Sequence, residues 1–310
     1  MFVMGKFKRA LGPNGFGFST TAEEVTQKIN LVGKTILVTG ANSGLGYETA
    51  RILSNRGAHI IATARTIEKA TTVRSSLGQD VTPIECDLSE PKSVIKATED
   101  IKIKGYQFDA IICNAGIMAL PKLEQKYGLE LQFLTNHIGH FILVNELLES
   151  MTAFGRVVMV SSSAHKYSYK EGIQFENLSG NKGYKASRAY GQSKLANLLF
   201  ANELSNRLSQ TTRTANAIHP GVIRTNLLRH LNPALKFGAL AVNRLLFKSV
   251  AQGAATQCYV AAHSDVRTLS GKYFFDCNIQ SASTQGRDKD MATNLWAISE
   301  HISEQLTRSP

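Results

Sequence analysis

The chain has one tryptophan, seven prolines and four cysteines in 310 residues. It holds no run near the roughly 20 uninterrupted apolar residues that cross a bilayer as a helix. A spanning helix is excluded on that ground, and a soluble protein is expected. Cys86, Cys113, Cys258 and Cys277 are widely spaced without a Cys-x-x-Cys pair. Two of them, Cys86 and Cys113, end apolar runs, where a reduced thiol packs well. No disulfide and no metal site is therefore expected. The segment Met1 to Ala10 is basic but lacks the apolar run of a secretory signal, so cytosol is the expected compartment.

Acidic residues are outnumbered, 24 against 35 lysines and arginines, for a formal charge of +11. Clustered cations would suggest a phosphate-rich partner, but the densest runs, Lys6 to Arg9 and Lys182 to Arg188, are short. No zinc-finger, helix-turn-helix or aromatic-basic pattern accompanies them, so no nucleic-acid partner is expected.

No break in composition divides the chain, which suits one large domain. Residues 1–33 read as an arm, with Thr20 or Thr21 capping a short helix that runs through Thr26 or Gln27. Residues 34–310 read as the domain. Short β-branched runs alternate there with helical patterns: Thr35 to Thr39, Ala58 to Ala64, Val81 to Cys86, Phe108 to Cys113, Arg156 to Ser161 and Thr214 to Ile218. Repeated βαβ units give a parallel sheet. Consecutive apolar residues, as in Ile36-Leu37-Val38, require strands covered on both faces. The expected fold class is an α/β, doubly wound, Rossmann-type parallel sheet with helices on both faces. Such sheets bind ligands beyond the carboxyl ends of their strands.

The first run leads into Thr39-Gly40-Ala41-Asn42-Ser43-Gly44-Leu45-Gly46 and then a helical pattern from Tyr47 to Asn55. Glycines admit a pyrophosphate close to the backbone, and the helix start favours its charge. Three glycines alone are often only turns; the preceding strand and following helix favour the cradle. No Gly-Lys-Ser/Thr follows, which excludes a P-loop.

Hydroxyl or carbonyl redox chemistry needs a proton carrier, and tyrosine titrates near 10 unless its phenolate is stabilised. A lysine four positions on along a helix supplies charge on the same face. Of nine tyrosines only Tyr190 has one, Lys194, in a helical pattern from Arg188 to Leu208. Such a pair is often a surface helix pair; its place after the fifth strand argues otherwise.

The Gly-x-x-x-Gly-x-Gly spacing, with Tyr190 and Lys194, resembles the short-chain dehydrogenase/reductase family, over about Thr21 to Glu304. Asn136-His137-Ile138-Gly139-His140-Phe141, Ser162-Ser163-Ala164-His165, Ser193 to Asn197 and Gly271 to Phe274 look like its retinol dehydrogenase and WW-domain oxidoreductase branch. Gly15-Phe16-Gly17 and the segment Thr20 to Thr26 resemble plant and microbial members, including chloroplast-import-associated ones.

The resemblance implies an NADP(H)-dependent oxidoreductase that interconverts an alcohol and a carbonyl, with Asn136, Ser162, Tyr190 and Lys194 as its catalytic residues. Its Ser-Ser pattern selects Ser162 to bond the substrate oxygen, while Ser161 and Ser163 stay alternatives because a slip of one residue reverses the side chain. Asn136 would hold a water joining the lysine to solvent. Gly40, Asn42, Ser43, Gly44, Leu45 and Gly46 would cradle the cofactor, with Asp87 and Leu88 at the adenine and Asn114, Ala115 and Gly116 alongside. Where the family's NAD enzymes carry a carboxylate, this chain has Ala64-Arg65, and Arg65 can fork onto a 2′-phosphate. Tyr190 and Lys194 would also touch the cofactor, and Pro220, Gly221, Ile223 and Thr225 would border the nicotinamide.

His137 and His140 share a helix face, but no third ligand is apparent, so packing is favoured over metal; His219 is also read as packing. The segment 226–250 has many large apolar residues and no acid. In the family it closes over substrate, which implies a small apolar alcohol, aldehyde or ketone; a packed helix or a membrane-surface helix has the same composition. Membrane contact is allowed but not required. A homodimer through helices at Tyr127 to Ser150 and Arg188 to Leu208 is a family-based expectation. Two rivals remain: a non-catalytic, redox-sensing NADP(H)-binding subunit, and a lyase or epimerase on the same fold.

Overall fold

The computed structural model describes residues 11–223 and 247–308. Eight strands form one sheet in the order β10-β9-β8-β7-β4-β1-β2-β3. They are β1 (Thr35–Thr39), β2 (His59–Ala64), β3 (Val81–Glu85), β4 (Phe108–Cys113), β7 (Met151–Val160), β8 (Thr214–His219), β9 (Tyr273–Phe275) and β10 (Asn278–Gln280). A separate two-stranded ribbon pairs β5 (Gln125–Lys126) with β6 (Leu129–Glu130). Every pairing in the main sheet is parallel except β9 with β10, which closes the edge as an antiparallel hairpin. The order reverses between β1 and β4, and there a crevice opens at the carboxyl ends of the strands.

The apolar strand runs are explained by burial on both faces. Leu37, Ile111, Val157 and Met159 enter one core cluster. Their neighbours Ile36, Val38, Ala110, Ile112, Val158 and Val160 enter the other. The first cluster lies under α4 (Pro91–Ile103), α5 (131–147), α6 (Ala186–Arg207) and α8 (Lys289–Arg308); the second lies under α1 (Ala22–Thr26), α2 (Gly44–Asn55), α3 (Ile67–Leu77) and α7 (Val250–Ala262).

The described part of the arm is docked onto the domain. Thr21 and Glu24 form a reciprocal capping box on α1, which buries Ala22 and Val25 in the second cluster. Asn14 donates to the Tyr259 hydroxyl at 3.2 Å and to the Cys277 carbonyl at 2.7 Å. Phe18 and Phe275 flank the buried ammonium of Lys248, which pairs with Asp276 at 2.6 Å. All four cysteines are buried free thiols. No helix among the described residues is long and apolar enough to cross a membrane.

One sequence expectation needs correction. The helix expected from Tyr127 begins at Leu131, because Tyr127 (φ 52°) and Gly128 (φ 74°) form the turn of the β5–β6 ribbon and Glu130 caps the helix. The helix is also not uniform: Leu134–Ile138 is a π-turn, and Asn136 lies in it. Further, the outer side of α5 and α6 is occupied by α8, where Trp296 stacks on Phe200 at 5.5 Å and meets Phe141 edge-on at 5.0 Å.

Candidate active site

Strand β1 ends at Thr39, and the chain turns through Gly40 at φ +64° into α2. A Cβ on Gly46 would collide with the Gly40 carbonyl and the Asn114 amide, so the glycine allows helix and strand to close together. Ser43 stands at the helix N-cap without a side-chain capping bond. The first amides of α2 thus face the crevice, a favourable place for phosphate.

The crevice has a volume of about 740 Å³, within the roughly 300–1,000 Å³ of small-molecule and cofactor sites. It is lined by Gly40, Asn42, Ser43, Gly44, Leu45 and Gly46, by Arg65, by Asp87 and Leu88, and by Asn114, Ala115 and Gly116. Residues chosen from successive strand ends therefore meet in one cleft. Lys69, on the first turn of α3, lines it beside Arg65, and both are exposed. Sequence reading missed Lys69; a second cation four residues from Arg65 was the available signal. Asp87 accepts from the Ser89 amide at 2.9 Å and its hydroxyl at 2.7 Å, which fixes the loop after β3.

The proton-transfer candidates gather past the ends of β4 and β7. Ser161 is buried, and its hydroxyl donates to the Lys194 carbonyl at 2.7 Å. Ser162 begins the 3₁₀ turn Ser163–Tyr167, and its hydroxyl accepts from the Ala164 amide at 3.1 Å.

Burial pushes Tyr190 up to about 12, against a smaller opposing influence of the Ser162 side chain. At neutral pH it is a phenol. Burial likewise lowers Lys194 to about 8, and its Nζ donates to the Val160 carbonyl at 2.9 Å. That Nζ lies 5.8 Å from the centre of the Tyr190 ring. Desolvation, and not the lysine, sets the direction for Tyr190 in this structure.

Asn136 is fully buried and clamps the chain opposite: its Oδ1 accepts from the Ile117 amide at 2.8 Å, and its Nδ2 donates to the Ile117 carbonyl and the Ser193 hydroxyl, each at 2.9 Å. Gly116 lies between, where a Cβ would come within 3.1 Å of Asn136 Oδ1 and 3.3 Å of Lys194 Nζ.

Pro220 and Gly221 are buried after β8, and Ile223 is buried and bridges to Lys248. Gly221 takes φ +93° over the Lys248 side chain. His219 stacks on Phe275 at 4.8 Å, in line with packing. Thr225 and residues 226–246 of the expected lid lie outside the described residues, as does the basic run Lys6 to Arg9. Among the described residues no group of three or more histidine, cysteine, aspartate or glutamate side chains could hold a metal. A second groove, of about 590 Å³ between the arm and the β9–β10 hairpin, contains none of these proton-transfer residues.

A family model described as short chain dehydrogenase matches residues 34–236. The chain is 40% identical to "Short-chain dehydrogenase TIC 32 A, chloroplastic" of Brassica napus, over 99% of this chain and 100% of that one. It is 38% identical to retinol dehydrogenase 14 of Homo sapiens, over 86% of this chain and 85% of that one. Among solved structures, an uncharacterized protein from Mycobacterium Paratuberculosis superposes with a TM-score of 0.74 at 32% identity, covering 92% of this chain and 98% of that one. A blue fluorescent protein from a metagenomic library, in complex with NADPH, gives 0.61 at 26% identity, covering 79% of this chain and 96% of that one. With its doubly wound sheet and its glycine cradle, the chain belongs to the short-chain dehydrogenase/reductase family of oxidoreductases.

Proposed function

We propose that the protein is an NADP(H)-dependent oxidoreductase that interconverts a hydroxyl and a carbonyl on a small apolar substrate. The observation that carries this reading is Gly116, on the wall of the cleft, packed against Asn136 and the Nζ of buried Lys194, with Arg65 and Lys69 lining the same cleft. The cofactor, when bound, supplies or accepts the hydride. Gly40, Asn42, Ser43, Gly44, Leu45 and Gly46 would hold its pyrophosphate, Asp87 and Leu88 its adenine, and Arg65 with Lys69 its 2′-phosphate. Asn114 to Gly116, Pro220, Gly221, Ile223 and Thr225 would flank the nicotinamide side.

Tyr190, neutral at physiological pH, would give its proton to the substrate oxygen during carbonyl reduction. Ser162 would donate to the same oxygen as charge develops there. Lys194, brought by burial to about 8, is suited to resupply the proton near neutral pH. Asn136 would fix the wall facing that lysine.

A relative named for retinol and the apolar composition of 226–250 support an apolar substrate. Each buried methylene is worth roughly 0.8 kcal/mol, so efficiency should climb about severalfold per carbon along a series of aliphatic aldehydes. A flat series would refute the apolar pocket. Cytosol is proposed as the compartment, although the Brassica relative is named chloroplastic; cell fractionation decides.

The test of the activity is NADPH oxidation against aldehydes, ketones and quinones, with NADH in parallel. Tyr190→Phe should abolish turnover and leave NADPH binding nearly intact, since only the proton-carrying oxygen is lost. Tight NADPH binding without turnover on any carbonyl would instead favour a redox-sensing subunit.

A further inference from the structure

The two histidines of the α5 motif have different surroundings. His137 faces α8, its Nε2 2.8 Å from the Ser299 hydroxyl and its ring among Phe133, Phe141 and Phe200. His140, fully buried, faces the sheet instead. Its Nδ1 lies 2.9 Å from the Asn136 carbonyl and its Nε2 lies 2.8 Å from the Thr39 hydroxyl.

The proton positions follow from what each atom can do. A carbonyl only accepts, so His140 Nδ1 must carry the hydrogen. In the neutral ring Nε2 then accepts, and Thr39 must donate to it. The oxygen of Thr39 in turn accepts the amides of Asn114 and Ala115, each at 2.9 Å. A competing direction for the hydroxyl, toward the Ile112 carbonyl, is longer at 3.5 Å. The titratable neighbours, His137 and Lys194, are both potential cations, and burial together with Lys194 holds His140 down to about 4. The ring is neutral, as the bonding requires.

This chain of bonds ends on both sides of the same turn. Thr39 grips its start at Asn114 and Ala115; Asn136, whose carbonyl His140 holds, grips its end at Ile117. Gly116, between them, is the residue packed against Lys194 Nζ. We propose that His140 is a positioning residue that locks the cofactor-side turn 114–117 to the catalytic asparagine, so that cofactor placement and the proton-transfer group share one rigid frame. The functional half of this proposal rests on reading the cleft as a nicotinamide dinucleotide site.

Two measurements on five variants test it: amide hydrogen exchange in the cofactor-free protein, and the dissociation constant of NADPH by fluorescence. His140→Phe keeps an aromatic ring without the bonds, and Thr39→Val removes the hydroxyl at the other end. Each should speed exchange at residues 114 and 115 and weaken NADPH by about tenfold, the loss expected for a buried bond left half-made. The double variant should be no worse than either single. His140→Gln, whose amide can donate and accept, should recover part of the loss. The control His137→Phe, which breaks a bond to α8 in the same helix, should leave both readings unchanged. Unchanged exchange at the turn in His140→Phe, or an equal change in His137→Phe, overturns the proposal. Should His140→Phe fail to fold, Thr39→Val decides alone. If the parent protein does not bind NADPH, the cofactor reading fails, while the exchange comparison still judges the lock.

Discussion

Ser161 and Lys194 are joined across β7 and α6 by a hydroxyl-to-carbonyl bond of 2.7 Å that turns Ser161 away from the cleft. Adjacent serines thus have separate duties. Ser162→Ala should lower kcat by about 10²–10³, the typical cost of losing one donor to a developing oxyanion, with little change in stability. Ser161→Ala should cost about 1 kcal/mol in urea unfolding, the usual value of a buried hydrogen bond. The reverse pattern, kinetics failing with Ser161 and stability with Ser162, would sink the assignment.

Arg65 and Lys69 line the cleft where the proposed cofactor's 2′-phosphate would lie, and β2 ends in Ala64 where a carboxylate would favour NAD. Replacing Ala64 by Asp together with Arg65 by Ala should move the NADPH/NADH efficiency ratio by about tenfold or more toward NADH. Lys69→Ala should weaken NADPH while sparing NADH, because only the former carries the 2′-phosphate. If all ratios of kcat/KM stay put, the end of β2 has been misread.

Strands buried on both faces were the most legible features. β1 and β4 have the bounds read from Thr35 to Thr39 and Phe108 to Cys113, since every residue there had to be apolar or able to bond inside. The β9–β10 hairpin was not legible. Its strands have three residues each, and its turn puts Asp276 and Cys277 at φ 53° and 62°, where Asn-Gly would have given a signal. Nor does composition reveal docking of the arm, because Asn14 and Phe18 find partners some 240 residues away. The direction of the Ser161 hydroxyl, onto the Lys194 carbonyl, was not legible either, as one-residue phase is what a motif fixes least. His140 was read as a packed or water-bonded histidine, but its bond to Thr39 joins residues 101 apart, which no local pattern encodes.

His137, His140 and His219 are held neutral by burial, at about 3, 4 and 3. The unfolded chain binds these protons first, near pH 6.5, so stability is full above that pH and falls as pH drops toward 4. Each such histidine contributes up to about 1.4 kcal/mol per pH unit in this window. His137→Phe should flatten the acid limb by about one proton's worth, read from urea unfolding at pH 7, 6 and 5. Equal slopes for variant and parent would show that carboxylates alone govern acid unfolding.

Trp296 joins α8 to α5 and α6. It is nearly buried, stacked on Phe200 with planes 13° apart, and its outer face carries the Arg207 guanidinium at 4.2 Å. Its indole N–H has no hydrogen-bond partner among the described residues, so the residue contributes through packing and charge over the ring. Trp296→Ala should therefore cost about 3–5 kcal/mol. It should also uncover Phe141 and Phe200, an apolar face that α8 otherwise occupies, and promote self-association visible by light scattering during size exclusion. Trp296→Phe retains a stacking ring and relieves the orphaned N–H, so its cost should stay under about 1.5 kcal/mol. The two variants separate a packing role from a merely tolerated indole. A loss below about 1 kcal/mol in Trp296→Ala, smaller than a typical buried aromatic truncation, would mean that α8 is dispensable as the cover of this helix pair.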